Sequence, residues 1–446
     1  MIEEISYKKY FMFFLLFIFM EALLLMFVLK STTLSLVMSM MILAAVFFLI
    51  YPEAGFAVAL TSNVLIMIFF DSVKSPFPAP HLVVYLAMIV AALFIYSLKH
   101  GLDSEMVLGT PIKLSFYLWL LMILGLFVSS NPAYGRHKVI FYFFYNLLLI
   151  VLPLIFYKDF ERLENIFKIA FLAGLVLALF SSLKALTVPD YIRFSPSESV
   201  NPIWLGRSLG ISMLCGVFWF VTSKQGFTKI LFLATIPFFL FPMFRTWSRA
   251  PLVGMLICVF LFYLLQPDQP LSRKIKISLP FLISSIIIIL NTATHLVSRL
   301  RTPMIQEMST AFRLLAWLKG WEYFMASPLT GVGTGGYYMK MIYGDFTYPH
   351  NLFLEVACEN GIIGLAIMVV FVIIVLKMAG KNIRRYRTLG SDLLQLSIAV
   401  TVIFVYSLWN AMFSGAIYSN EIVWLSAGLI YVLYLSHQRS EERHQT

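Results

Sequence analysis

Arg299–Gly364 reads RLRTPMIQEMSTAFRLLAWLKGWEYFMASPLTGVGTGGYYMKMIYGDFTYPHNLFLEVACENGIIG. No apolar run of bilayer length interrupts it, and no other interval of the chain goes as far without one. It holds an amphipathic, Trp-rich segment with Arg313, then a glycine-rich turn, then His350-Asn351, after which the chain turns hydrophobic again. A long interval of this kind between apolar runs is a loop outside the bilayer, placed to cap the helices on either side.

Those flanking helices dominate the chain. It is 60% hydrophobic and 12% charged, with a mean hydropathy of +0.87, against roughly 25% charged residues in a soluble domain. About fourteen stretches have a length and apolarity that suit the bilayer core. They lie near 11–29, 33–50, 54–70, 82–98, 114–129, 139–156, 166–186, 204–221, 230–244, 250–265, 275–290, 360–378, 393–409 and 421–436. The predicted fold is all-α and polytopic, with about 12–14 transmembrane helices and one large extracytoplasmic loop carrying amphipathic helices. The chain then divides into three regions: a helix bundle over 1–290, the loop over 291–350, and C-terminal helices with a cytoplasmic tail over 351–446. The N-terminal MIEEISYKKY precedes an apolar run without a small-residue cleavage site, so it reads as a signal anchor and first span.

The net charge of +11 does not point to nucleic acid, because Lys and Arg sit mainly between apolar runs, as topology signals and lipid-headgroup contacts do. Putting the KNIRRYR cluster (Lys381–Arg387) and most other basic groups inside leaves both termini cytoplasmic and the 291–350 loop external. Arg136, Lys138, Arg207, Arg245 and Arg249 then fall on the outer face, against that trend. A charge near the bilayer is costly unless paired or functional. Singly, each could snorkel to a headgroup; together, converging on the face that holds Arg313 and His350, they suggest an anion site.

Within the loop, helical spacing from about Pro303 to Ala326 puts Arg313, Trp317 and Trp321 on one face, with Ser309 or Thr310 as the cap and Pro328 and Gly331 ending the helix. Gly331–Gly336 matches G-x-G-x-x-G but lacks the strand and βαβ unit of a dinucleotide site. A flexible turn passing close to a lipid-linked substrate fits better. Asn351 is placed to cap the next helix, with Glu355 and Glu359 on one face. A histidine at that N-terminus favours the neutral imidazole, able to accept a proton. The cysteines Cys215, Cys258 and Cys358 are scattered, and neither an Asp-x-Asp pair nor a His/Cys cluster of metal spacing occurs, so no metal or other cofactor is expected.

Arg313-x-x-x-Trp317, PLTGVGTGG, HNLFLEVACENGIIGL and the upstream WSRAPLVG resemble the O-antigen ligase and polysaccharide polymerase family over roughly 201–255 and 309–365. The resemblance implies transfer of a glycan from undecaprenyl diphosphate, on the periplasmic side of the bacterial inner membrane, to lipid A–core or to another lipid-linked repeat unit. The family's functional histidine maps onto His350 and its two key arginines onto Arg249 and Arg313. Around these, Arg207, Arg245, Trp317, Asn351, Glu355 and Glu359 are candidate diphosphate or glycan contacts, with the two glutamates reading as partners of His350 or of an arginine. Expected partners are the lipid-linked donor, the glycan acceptor and membrane lipids, with no nucleic acid. The alternative from another class is a transporter of a lipid-linked anion, which calls for charges near the midplane of several helices.

Overall fold

Asparagine–proline pairs start two of the helices. Asn131 and Asn201 accept hydrogen bonds from the backbone N–H groups of Tyr134 and Ile203, at 3.2 and 2.9 Å, with proline at the first helical position. The side chain satisfies an orphan amide, and proline fixes φ where no N–H partner is needed. The computed structural model describes residues 51–61, 64, 67–68, 109–157, 159–189, 192–267, 272, 308–340, 345–389 and 391–445. In chain order the helices are α1 (Pro52–Leu60), α2 (Thr110–Gly125), α3 (Pro132–Phe156), α4 (Phe160–Leu186), α5 (Pro202–Thr222) and α6 (Gly226–Arg245). They continue with α7 (Arg249–Leu265), α8 (Met308–Ala326), α9 (Leu352–Leu389), α10 (Ser391–Ala411) and α11 (Glu421–Gln445).

Among the described residues there is no strand, and α3, α4, α5, α6, α9 and α10 are long and apolar enough to cross a membrane. The protein is an all-α, multi-pass membrane protein. The expected spans from 114–129 to 250–265, and from 360–378 to 421–436, each coincide with a helix, although α2, α7 and the apolar part of α11 are short. Those at 11–29, 33–50, 82–98 and 275–290 lie outside the described residues, as does part of 54–70. The core forms where α5 packs on α4, α7 and α10, while α9 packs on α2, α10 and α11.

Two departures from the expected helices shape the end of the bundle that holds His350. Ser309 and Thr310 lie within α8 rather than ahead of it. α9 starts directly after Asn351, where its cap was expected, but breaks at Gly361 (φ 64°, ψ −164°) before continuing. A helix broken inside a bilayer must have its freed backbone groups satisfied, and the glycine-rich segment does this. Val332 N–H donates to Cys358 O at 2.8 Å, and Ile362 N–H donates to Pro328 O at 2.8 Å.

Candidate functional site

The glycine-rich turn is a wedge rather than a flexible flap. A Cβ at Gly333 would stand 2.6 Å from the Gly125 carbonyl, and one at Gly335 would stand 2.4 Å from the Gly135 nitrogen. Both glycines have positive φ. Thr334 N–H donates to Gly125 O at 3.2 Å, and Asn360 Nδ2 donates to Thr334 Oγ1 at 3.0 Å. The expectation of a mobile turn is therefore corrected: glycine is required because the chain passes between its own helices. The wedge also anchors the segment between it and α9. Tyr337 Oη donates to Ala316 O of α8 at 3.0 Å, and a β-bridge joins Met339 to Phe346.

His350 sits four residues beyond that bridge. Its ring lies 5.1 Å from Phe346 and 4.5 Å from Tyr348, centroid to centroid. Its backbone is in the left-handed region (φ 56°), which disfavours residues other than glycine. Asn351 caps α9, its Oδ1 accepting from Leu354 N–H at 3.1 Å. The anticipated cap is present, and the chain reverses sharply just before it. His350 Nδ1 is buried with no hydrogen-bond partner among the described residues. Its pKa is pushed down to about 4, first by burial and then by the charges of Arg313 and Arg207. The imidazole is neutral at pH 7, as the sequence suggested, but desolvation and two cations are the main reasons rather than the helix end.

The candidate arginines divide into two kinds. Arg207 is buried in α5 and spans the α10–α11 connection, donating to Asn420 Oδ1 (3.0 Å), Asn410 O (2.7 Å) and Ser414 O (2.8 Å). Arg245 is buried at the end of α6 and donates to the carbonyls of Ala185, in the last turn of α4, and of Val188 and Pro189 just beyond it. Both therefore hold backbone in place. By contrast, Arg313 on α8 is half-buried and makes no hydrogen bond or ion pair with any described residue. Desolvation lowers its pKa. Arg249 opens α7 and is exposed, and the cations that act on His350 are Arg313 and Arg207 rather than Arg249. Trp317, one turn beyond Arg313, lies 6.3 Å from Phe413 and buries an indole N–H with no partner among the described residues. Trp321, expected on the same face, is exposed at the far end of α8.

Glu355 and Glu359 touch neither His350 nor an arginine. Both carboxylates take Lys138 Nζ at 2.6 Å, and the second oxygen of Glu355 accepts from Ile417 N–H at 2.9 Å. All three side chains are at most 2% exposed. The reason is helical pitch: one and two turns below His350, the face of α9 meets α3 and not the loop. Lys138, read as an outer-face cation, is in fact the buried partner of two carboxylates.

Arg193 escaped the sequence reading. It lies in the α4–α5 connection, where its Nε donates to Thr246 O at 2.9 Å and its Nη2 to Ser248 Oγ at 3.0 Å. The residue as a whole is exposed, while its guanidinium is partly buried against these two partners. Desolvation, and then the charge of Arg313, hold its pKa below the ordinary value. The two cations thus act on each other, and neither has an ion pair among the described residues. Nothing around Arg193 in the sequence marks it, since it is a lone arginine in a polar connection.

A comparison with curated proteins found no match. A family model matches over α6, α7, α8 and the wedge, together with most of α5 and the first half of α9. The match includes Arg245, Arg249, Arg313, Trp317 and His350–Glu359, and begins just after Arg207. Residues 208–369 match the family model described as O-antigen ligase, so over these residues the chain is similar to the O-antigen ligase family.

Proposed function

We propose that the protein transfers a glycan from undecaprenyl diphosphate to a sugar hydroxyl of lipid A–core, on the periplasmic face of the bacterial inner membrane. The observation that carries this reading is the juxtaposition of a neutral, strained His350, whose Nδ1 is buried, with Arg313, a cation that makes no hydrogen bond or ion pair with any described residue. Transfer needs a base for the attacking hydroxyl and a clamp for the departing diphosphate. His350 takes the hydroxyl proton as oxygen bonds to the anomeric carbon. The bond from that carbon to the diphosphate oxygen breaks on the opposite side, inverting the centre. Arg313, Arg193 and the free N–H of Trp317 receive the charge that develops on the diphosphate. Arg249, exposed at the start of α7, extends the clamp.

Double displacement would need a free carboxylate. Glu355 has both oxygens engaged and Glu359 is bound to Lys138, which supports a single displacement. The ionic cluster does not favour a transporter either. Glu355 lies three residues into α9, only about 5 Å from its start, far from the midplane of a span. The test is purified protein in nanodiscs with the lipid-linked donor and lipid A–core. Glycosylated core, lost in His350→Ala, is the expected product. Elongated glycan on the lipid carrier, with no product on the core, would instead make the protein a polymerase.

A further inference from the structure

α9 leaves the site exposing apolar side chains such as Ile363, Val370 and Ile373, as a lipid-facing helix does. This stripe changes character on the order of 35 Å along the helix from Leu352, at 1.5 Å per residue. That distance exceeds the hydrocarbon thickness of about 30 Å, so the change falls at the opposite headgroup layer. There a groove of about 550 Å³ opens between α9 and the end of α7. Leu265, Leu376 and Ile383 contribute its apolar floor, and Lys377, Arg384 and Arg387 contribute its rim. The three cations recur at i, i+7 and i+10, on one face of the helix. None of them makes a hydrogen bond or ion pair with any described residue. Gly380 borders open space in the groove, since a Cβ there would meet nothing within 4 Å.

We propose that this groove binds an anionic phospholipid, with an acyl chain on the apolar floor and the phosphate held by Lys377, Arg384 and Arg387. Cations that serve only as topology signals need no floor, and a groove for a neutral chain needs no unpaired cations. The combination fits a ligand with both parts. The site stands apart from His350 and does not depend on the transfer reaction.

The test uses full-length protein in detergent and native mass spectrometry with phosphatidylglycerol or phosphatidylcholine at equal ratios. Phosphatidylglycerol adducts should exceed phosphatidylcholine adducts about tenfold, as expected for several cations each favouring an anionic headgroup. Equal adducts on the unaltered protein would overturn the proposal, and this comparison needs no variant. In K377Q/R384Q/R387Q the preference should vanish while phosphatidylcholine binding persists. Gly380→Leu keeps every charge and suits a helix better than glycine. By filling the groove, it should reduce phosphatidylglycerol binding severalfold. Unchanged binding in a folded triple variant would count against the rim. Displacement of the lipid by inorganic phosphate would show an anion site without an apolar component, and would equally defeat the proposal.

Discussion

At the residue scale, His350 and the arginines should fail differently. His350→Ala removes the proton acceptor but leaves the clamp, so turnover should fall about 10²–10⁴-fold with donor affinity nearly kept. Near-normal transfer by a folded His350→Ala protein would dismiss the base assignment. Arg313→Ala and Arg193→Ala should weaken donor binding as well as turnover, and lysine should restore only part because it lacks the guanidinium fork. Binding of the lipid-linked donor to each variant separates the two classes. The pH profile is a further check. Because the pKa of His350 is lowered from 6.5 to about 4, the base stays neutral through mildly acidic pH. The acid limb of kcat/KM should lie near pH 4, and a limb centred on 6.5 would contradict a half-buried imidazole under the charges of Arg313 and Arg207. The unfolded chain binds the proton first as pH falls from 6.5 toward 4. The contribution of His350 to stability is therefore lost across that window and is constant above it.

At the scale of elements, the Lys138–Glu355–Glu359 cluster locks α3 to the first turns of α9. Lys138→Ala leaves two buried carboxylates without a counter-ion and should cost about 3–5 kcal/mol. Lys138→Met combined with Glu355→Gln and Glu359→Gln removes the charges together and should recover most of that loss in a thermal unfolding assay. A triple variant as unstable as Lys138→Ala would mean that the ionic interaction itself is required. The wedge makes a second demand. Gly335 has φ 79° and contacts the backbone of Gly135, so Gly335→Ala should lower the unfolding temperature and loosen the segment that presents His350.

For the whole molecule, the decisive quantity is which side of the membrane the His350 end faces. Lys340 is exposed in the loop and Thr388 is exposed at the far end of α9. The three native cysteines are buried, so background labelling should be low. Cysteine at 340 should react with a membrane-impermeant maleimide in intact cells, and cysteine at 388 should react only after lysis. The reverse pattern would put the candidate site in the cytoplasm. Transfer should also persist in EDTA. Activity lost there and restored only by Mg²⁺ or Mn²⁺ would show that the arginine clamp is not sufficient to stabilise the leaving diphosphate.

Helices were legible in the chain because bilayer length and apolarity are local properties. α3 to α7 and α9 to α11 could be placed from them. His350, Arg313 and Asn351 were legible too, since a polar interval among apolar runs isolates its chemistry in view. What each charge does was not legible, because that depends on groups distant in sequence. Lys138 meets Glu355 across 217 residues. Arg207 reaches Asn420 across 213 residues, and Arg193 reaches Ser248 across 55. Arginines at similar helix ends look alike in the sequence. Only packing decides which guanidinium is spent on backbone carbonyls, as in Arg207 and Arg245, and which acts on the imidazole without a partner among the described residues, as in Arg313.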